Sequence, residues 1–282
     1  MRKNPLFVLL AVAVWLVVVL GVVYIWLSAQ PLTPAKLKTL AILPFPLALV
    51  NGHPVSTHDF LQRLQLTQAI GAQAPQANAA ASQGANLNKL IEEQKIRLLA
   101  GDRGIAVSNE ELDAEFNAIN DSRPDLAGVL KRSGFSEADF RKQILEPQLL
   151  KTDLQIWFNG QTELNTSEYQ LAKSLLGQLR AGADMVELAR QYSQDGASRP
   201  FGGDLGFVRL QDVLPELRPA LAAMQIGDIA LLTSRVGLHI IRLENKQNST
   251  YQLREILLSP ENFDSWLETQ TKNYSVKILI KI

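Results

Sequence analysis

The chain has 282 residues, with 28 Lys and Arg against 28 Asp and Glu, and it contains no cysteine. The balanced charge implies no basic face, which argues against nucleic acid as the main partner, and the lack of cysteine excludes disulfides and thiolate metal ligands. Of the three histidines, His53 and His58 could share a metal in principle, but a solvated turn is favoured and His239 is isolated, so we expect no metal and no other cofactor.

The first predicted element is an apolar segment, Leu6 to Leu27, which carries no charge. At about 1.5 Å per residue, a helix of this length would span a hydrocarbon core of about 30 Å. Arg2 and Lys3 precede it, so we expect the N-terminus to stay in the cytoplasm and the rest to be exported. A cleaved signal peptide is the competing interpretation, but its apolar region is normally shorter. Residues 1–29 therefore predict a single-pass anchor in the inner (cytoplasmic) membrane, with the bulk of the chain periplasmic or otherwise extracytoplasmic.

A proline-rich stretch follows the apolar segment. Residues 30–46 contain four prolines, which predicts an extended tether between the membrane and the folded part. Residues 47–56 then read as a strand, a turn at Asn51-Gly52 and a second extended piece, because Asn-Gly is the preferred sequence of a two-residue hairpin turn. We expect the first domain to begin with this hairpin.

A helix from Asp59 to Ile70 comes next. Either Ser56 or Thr57 can cap it, since a hydroxyl at that position can accept a free backbone N–H of the first turn. Residues 71–86 are rich in Ala, Gln, Gly and Asn and poor in large apolar side chains. We interpret them as a mobile loop rather than as a continuous alanine-rich helix.

Three further helices are predicted before residue 160. Apolar residues recur at helical spacing from Leu87 to Asp102. Ser108 and Glu111 have the spacing of a capping box, in which a hydroxyl and a carboxylate each accept a backbone N–H at the start of a helix. The same arrangement begins a helix at Ser136 that runs to about Phe158, and Pro147 predicts a kink within it.

The second half of the chain contains two short glycine-bearing segments. Residues 202–207, GGDLGF, read as a tight and irregular crossing, because glycine turns where residues with a Cβ cannot. Residues 237–241, GLHII, place His239 inside an apolar strand. Two predicted helices, 169–180 and 186–192, precede the first segment.

In this order and spacing, residues 167–244 resemble the parvulin family of peptidyl-prolyl cis-trans isomerases. The preceding region resembles the SurA/PrsA group of extracytoplasmic chaperones, on the hairpin and on three motifs, VSTHDF, GIAVSNEEL and GFSEADFRKQI. In that group an N-terminal helical domain binds unfolded chains, and a parvulin domain is attached to it. The resemblance therefore implies two domains behind the predicted anchor.

The end of the chain extends this resemblance. Residues 263–274 predict a helix with Phe263, Trp266 and Leu267 on one face, and residues 276–282 alternate as a strand does. In SurA-like proteins such a helix and strand return to complete the N-terminal domain. In the alternative arrangement, the tail packs on the parvulin unit itself.

The predicted fold class is therefore α+β. A mostly helical chaperone domain occupies residues 47–160 and is completed by residues 250–282. A parvulin domain, a short antiparallel sheet with surrounding helices, occupies residues 161–247 and is inserted in the first domain. Because Trp266 is expected in the core of the N-terminal domain, we expect it to be buried.

The chemistry of such a domain needs no nucleophile or cofactor. The barrier to rotation of an X-Pro bond, about 18–20 kcal/mol, arises because the planar amide must twist, and a pocket need only favour the twisted form. The resemblance implies that Asp195 faces the amide and that His239 belongs to a hydrogen-bond network under the pocket. It also implies an apolar floor for the proline ring with a hydroxyl beside it: Leu205, Val213, Leu217 and Ser234. From the residues alone, Asp195 could equally cap a turn, and the apolar residues could be core.

The chain departs from the family pattern at one strand. Family members usually open with Arg-His-Ile-Leu, whose histidine is the partner of the second one, but residues 161–166 contain no histidine. The nearest similar sequence is 253–258, with Glu255 where histidine is expected. It is either a relocated strand, which would make Glu255 the partner of His239, or a helix leading into the C-terminal segment. Val213 and Leu217 also replace the usual pocket methionine and phenylalanine of the family, so we expect weak activity.

We therefore predict a membrane-anchored, extracytoplasmic prolyl isomerase that assists the folding of exported proteins. Its partners would be unfolded or partly folded polypeptides with X-Pro bonds. The alternative is a holdase-type chaperone whose parvulin domain is weakly active or inactive, which the missing histidine favours. A third possibility is an accessory to one secretion or surface-assembly system. The presence of the GGDLG segment, Asp195 and His239 favours the enzyme.

Overall fold

The structure, a computed structural model, describes residues 5–28, 34–42, 45–71, 79–260 and 262–280. The chain forms two compact units. Unit 1 contains the residues up to Leu150 together with those from Gln270 onward, and unit 2 contains Lys151–Thr269. The chain therefore leaves unit 1, builds unit 2 and returns. Within the described ranges, no helix is both long enough and apolar enough to cross a membrane.

Unit 1 is mostly helical, with one small sheet. Its short strands are β1 (Ala48–Val50), β2 (His53–Val55) and β7 (Val276–Ile278). The last of its helices, α8, continues into unit 2. In chain order the helices are α1 (Pro5–Ser28), α2 (Pro34–Ile42), α3 (Thr57–Gly71), α4 (Ala79–Gly101), α5 (Asn109–Ser122), α6 (Leu126–Ser133), α7 (Glu137–Phe140) and α8 (Glu146–Asn159).

The small sheet confirms the predicted hairpin. β1 pairs antiparallel with β2, and Asn51 and Gly52 join them at φ values of 49° and 82°, in the left-handed region that this turn requires. β7 pairs antiparallel with the other edge of β1, with Val276 opposite Val50. The chain after residue 275 therefore supplies the third strand of a sheet that begins near residue 48.

The predicted helix starts at Ser108 and Ser136 are confirmed. Both serines accept a backbone N–H three residues on, and both boxes are closed by the carboxylate at the third helical position. A π-helical turn, Arg141–Leu145, lies between α7 and α8, just before Pro147, where the sequence predicts a kink. Such turns interrupt the regular hydrogen-bond ladder of a helix, and Pro147 follows where its missing N–H is tolerated, in the first turn of α8.

Two predicted irregular segments are partly helical. The extended tether is wrong for Pro34–Ile42, which forms α2. Residues 45–46 are not in a helix or strand, and tether residues 30–33 and 43–44 lie outside the described residues. Leu40 of α2 is buried in the cluster that contains Val50, so tertiary packing stabilises this short helix. The predicted loop, 71–86, is wrong for Gly71, which ends α3, and for residues 79–86, where α4 has already begun, and residues 72–78 lie outside the described residues. Alanine has the highest helix propensity.

Unit 2 is built around a four-stranded antiparallel sheet. Its strand order is β3-β6-β5-β4, so β6, the last of these four strands along the chain, is an inner strand of the sheet. The strands are β3 (Asp204–Arg209), β4 (Ile229–Ser234), β5 (Gly237–Gln247) and β6 (Thr250–Leu258), and the helices that follow α8 are α9 (Thr166–Arg180), α10 (Met185–Tyr192), α11 (Arg218–Ala223) and α12 (Phe263–Thr271).

The C-terminal segment is divided between the units, which differs from the expectation for residues 250–282. Residues 250–258 form β6 in the large sheet, and α12 lies in unit 2 up to Thr269. Trp266 packs there, with its ring centroid 5.1 Å from that of Phe158, and it is half-buried rather than buried. Clustering with aromatic residues of α8 therefore holds α12 in unit 2.

Candidate functional site

The large sheet has two covered faces, and the candidate site lies on one of them. Side chains alternate between the faces of a strand. Leu238 and Ile240 of β5 pack against α9 and α10 on the first face. Ile241 and Leu243 pack on the second face against α11 and the 3₁₀ turns that precede it. By the same alternation, His239 lies on the second face.

A buried chain of three side chains crosses three strands on this face. His239 Nε2 lies 2.7 Å from Ser234 Oγ on β4, and His239 Nδ1 lies 3.0 Å from Glu255 Oε2 on β6. Ser234, His239 and Glu255 are 0, 3 and 8 % exposed. Residues 253–258 thus lie in a strand. The contact between Glu255 and His239, which the strand interpretation predicts, is present.

The order of serine, histidine and carboxylate is that of a hydrolytic triad. Ser234, however, is fully buried, and its Oγ accepts the backbone N–H of Val236 at 3.0 Å. An acyl substrate has no route to that oxygen. The three hydrogen-bonded side chains therefore hold His239 in place and do not supply a nucleophile. Among the residues that the structure describes, no group of three or more His, Asp or Glu side chains is arranged to hold a metal ion.

An apolar surface lies on the same face as His239. Leu205, Val213 and Leu217 belong to one cluster, together with Leu232, which is the cross-strand neighbour of His239. Leu205 and Val213 are partly exposed, whereas Leu217 is buried. Of the predicted substrate-binding residues, three are therefore brought together. Ser234 points inward to His239 and is closed to a bound peptide.

Asp195 lies in the loop after α10. Its carboxylate accepts the backbone N–H groups of Ala197 at 3.2 Å and of Ser198 at 2.9 Å, so it does cap a turn. Burial raises the pKa of Asp195, but the hydrogen bonds from Ser198 and Ala197 hold that pKa below its ordinary value of 3.8. Asp195 is therefore ionised at neutral pH.

The GGDLG segment presses against the strand that carries Glu255. Gly202 and Gly203 have φ values of 67° and 78°, and a Cβ on Gly203 would overlap the carbonyl oxygen of Glu255. The N–H of Glu255 donates to the carbonyl of Gly203 at 2.8 Å. Glycine is required here because both the left-handed backbone and the close approach exclude a side chain.

Arg254 also holds this turn, and it is not among the predicted site residues. The guanidinium of Arg254 donates to the carbonyl of Gly202 at 2.8 Å and pairs with Glu244 at 2.6 Å. It also lies 3.5 Å from Asp204. The sequence signal for Arg254 is its position beside Glu255 in a strand-like segment. Its partners could not be predicted, because they are distant along the chain.

Comparison with known families places both halves of the chain. Residues 1–154 match the SurA-like N-terminal domain, which is more than half of the chain. Residues 149–247 match the PPIC-type PPIase domain. This chain belongs to the SurA-like family and carries a PPIC-type domain. The match to the PPIC-type PPIase domain ends at residue 247, before β6 begins at Thr250.

Named relatives of this SurA-like protein are foldases and chaperones. It is 31% identical over 157 residues to the foldase protein PrsA 2 of Bacillus anthracis, covering 50% of this chain and 55% of that one. It is 25% identical over 225 residues to the foldase protein PrsA of Halalkalibacterium halodurans, covering 73% and 66%. The chain thus spans between about half and two thirds of the length of these relatives. A crystal structure of the peptidylprolyl isomerase PrsA from Bacillus cereus is 17% identical, with a TM-score of 0.27, and covers 81% of this chain and 83% of its own.

Strand β6 contains the sequence that resembles the opening strand of the parvulin family. β6 reads Arg254-Glu255-Ile256-Leu257, and it pairs with β3 on one side and β5 on the other. The strand that resembles the family's opening Arg-His-Ile-Leu is the last strand of this sheet along the chain, and it lies between β3 and β5. A glutamate in that strand contacts the buried histidine.

Proposed function

We propose that this protein is a parvulin-type peptidyl-prolyl cis-trans isomerase that assists the folding of exported polypeptides. One observation carries the proposal: a partly exposed apolar surface, at Leu205 and Val213, lies on the same sheet face as the buried His239. A proline ring fits an apolar surface of this kind. Relatives named foldase and the match to a PPIC-type domain support the same activity.

The chemistry follows from amide resonance. The planar X-Pro amide carries more charge separation than the twisted amide, so an apolar pocket favours the twisted form relative to the planar one. Hydrogen bonds from Ser198 and Ala197 lower the pKa of Asp195, so its carboxylate is ionised at neutral pH. A carboxylate facing the carbonyl oxygen disfavours the negative charge that resonance places there, which lowers the barrier further.

Each predicted site residue has a role in this proposal. Asp195 is at the mouth of the pocket, and Leu205 and Val213 contact the proline ring. Leu217 supports them from below because it is buried. His239 holds the floor of the pocket through its hydrogen bonds, and Ser234 acts through His239 rather than on the substrate.

The proposed location is extracytoplasmic, with an N-terminal anchor in the cytoplasmic membrane. The supporting features are the uncharged sequence from Leu6 to Leu27 and the two basic residues before it. Apolar side chains of α1 such as Trp15, Val17 and Ile25 are exposed, and they would be stabilised by lipid. The clients are exported polypeptides that reach the SurA-like domain unfolded or partly folded.

A reporter fused after Ile282 tests this topology. We expect activity of a periplasm-dependent reporter, inactivity of a cytoplasm-dependent one, and retention of the protein in carbonate-washed membranes. Replacing Val17 and Val18 with lysine should release the protein from the membrane fraction, because each charge is costly at the centre of a bilayer. Recovery of the unaltered chain as a soluble species lacking residues 1–29 would overturn the anchor.

A holdase-type chaperone is the second candidate. The observation that favours it is the exposure of large apolar side chains in unit 2: Phe201 is 70 % exposed and Phe207 is 50 % exposed. Exposed side chains of this kind can bind unfolded segments without any catalysis. In that case the parvulin domain is weakly active or inactive, and client binding does not depend on Asp195.

An isomerisation assay on the full-length protein in detergent separates the two candidates. The exchange rate of a peptide with one X-Pro bond, measured by NMR, should rise with the wild type. Replacing Asp195 with asparagine should lower kcat/KM about tenfold, equivalent to about 1.4 kcal/mol of transition-state stabilisation. The matched control is Asp212→Asn, because Asp212 is a surface carboxylate of the same domain that pairs with Arg209.

The control should keep the wild-type rate. Equal rates for wild type and Asp195→Asn, with suppression of client aggregation intact in both, would assign the protein to the holdase class. No acceleration by the wild type would give the same assignment.

A further inference from the structure

Glu255 is a buried carboxylate whose position is set by the sheet. It lies opposite Ile241 on β5, and His239 lies two residues earlier on that strand, on the same face. The carboxylate therefore reaches the ring diagonally, at 3.0 Å from Nδ1. A buried carboxylate is stable only with a hydrogen-bond donor or a cation beside it, and His239 is the donor in contact with it.

The contacts on the other side of the ring point to one arrangement of protons. Ser234 Oγ accepts the backbone N–H of Val236 at 3.0 Å, and it lies 2.7 Å from His239 Nε2. A serine hydroxyl has one proton to donate. If Nε2 carries no proton, the hydroxyl donates to it, and each of the two contacts of the ring then joins one donor to one acceptor.

The opposite tautomer leaves two groups unsatisfied. With the proton on Nε2, the lone pair of Nδ1 would face the carboxylate of Glu255, and the hydroxyl proton of Ser234 would lose its acceptor. Both losses would be in a buried site, where an unmade hydrogen bond costs about 1–3 kcal/mol. The geometry therefore favours a proton on Nδ1.

We propose that Glu255 is a positioning residue that holds His239 with its proton on Nδ1 and with Nε2 accepting from Ser234. The ring is thereby fixed to β4 and β6 at once, with no free N–H directed at the apolar surface. The backbone of β6 also ties in the loop that carries Asp195, because Gln194 N–H donates to the carbonyl of Leu257 at 2.8 Å. Glu255 thus acts on the pocket through His239 and does not touch the substrate.

The consequence for catalysis rests on the proposed isomerase function, whereas the tautomer does not. A misplaced group in an active site lowers a rate by as much as about 100-fold. Loss of the Glu255 acceptor should therefore lower kcat and leave KM unchanged, since the peptide-contacting side chains remain.

The experiment is nitrogen NMR of the full-length protein labelled with ¹⁵N-histidine. The chain has three histidines, so the ring signals of His53 and His58 are internal references, and His239→Gln assigns the third pair. The wild type should show Nδ1 as the protonated nitrogen and Nε2 as the hydrogen-bonded acceptor.

Four variants decide the role of Glu255. Glu255→Gln keeps an acceptor and should keep the wild-type pattern and most of kcat. Glu255→Met removes the acceptor at similar volume, and it should shift the proton from Nδ1 and lower kcat by about tenfold or more. Ser234→Ala should leave the proton on Nδ1. The control is Glu187→Gln, at an exposed carboxylate that pairs with Arg190, and it should change neither the position of the His239 proton nor kcat.

The outcomes separate this inference from the proposed function. A proton on Nε2 in the wild type, or a shift of the proton in Ser234→Ala, would overturn the role of Glu255 even if Glu255→Met does not fold. A wild type with the expected tautomer and no isomerase activity would refute the proposed function and leave the positioning of His239 standing. An active Glu255→Met variant with unchanged kcat would overturn its effect on the reaction.

Discussion

Replacing Gly203 with alanine should lower the free energy of unfolding of unit 2 by about 4 kcal/mol. The left-handed backbone at Gly203, with φ of 78°, costs an alanine about 1–2 kcal/mol. The new Cβ would also overlap the carbonyl oxygen of Glu255, and forcing an atom into a packed site costs about 1–3 kcal/mol more. Denaturant unfolding followed by the fluorescence of Trp157 and Trp266, which both lie in unit 2, measures the change.

Gly206→Ala is the matched control for this substitution. Gly206 has a comparable φ of 65°, but a Cβ there would meet nothing within 4 Å. The control should therefore lose only the backbone contribution, about 1–2 kcal/mol. Equal losses in Gly203→Ala and Gly206→Ala would show that the close approach of the turn to β6 does not constrain the site.

A chain that ends after Gln247 should fail to fold unit 2. The truncation removes β6, an inner strand of the sheet, and so leaves β3 with no strand to pair with. It also removes Leu253 and Ile256, one from each of the two apolar clusters that cover the faces of the sheet. Burial of apolar residues is the dominant favourable contribution to folding. Amide hydrogen exchange should show loss of protection throughout β3, β4 and β5.

A chain that ends after Thr271 is the control for the truncation. It keeps β6 and α12 and removes β7, so protection in unit 2 should be unchanged while that of unit 1 falls. Ile280 is fully buried in the cluster around β1, and loss of such a side chain costs about 2–5 kcal/mol. Protected amides in β3 and β5 of the shorter chain would contradict the role assigned to β6.

Features that depend on neighbouring residues could be predicted from the sequence. The capping boxes at Ser108 and Ser136 need only a hydroxyl and a carboxylate three residues apart, and both are present. The Asn51-Gly52 turn depends on two residues that tolerate a left-handed backbone. His239 lies in a strand because apolar residues surround it on both sides. In each case the deciding interaction is made within a few residues.

Segments stabilised by distant contacts were predicted less well. Proline content indicated an extended chain at residues 34–42, but Leu40 packs into the core of unit 1 and a helix forms. The helix α6, Leu126–Ser133, was not predicted, although Gly134 ends it in the left-handed conformation typical of a helix C-terminus. Short helices depend on the surface against which they pack, and the sequence does not show that surface.

The sequence by itself determined the family resemblance and the candidate residues Asp195 and His239. For residues 253–258 it left two alternatives, a strand or a helix. Only the tertiary structure decided that these residues form an inner strand, that Glu255 meets His239, and that Ser234 is closed to substrate. Strand pairing joins residues far apart in the chain, and the choice of neighbour depends on which apolar faces can be buried together. A sequence motif identifies the candidate residues of a site, whereas the pairing of strands determines which of those residues are in contact.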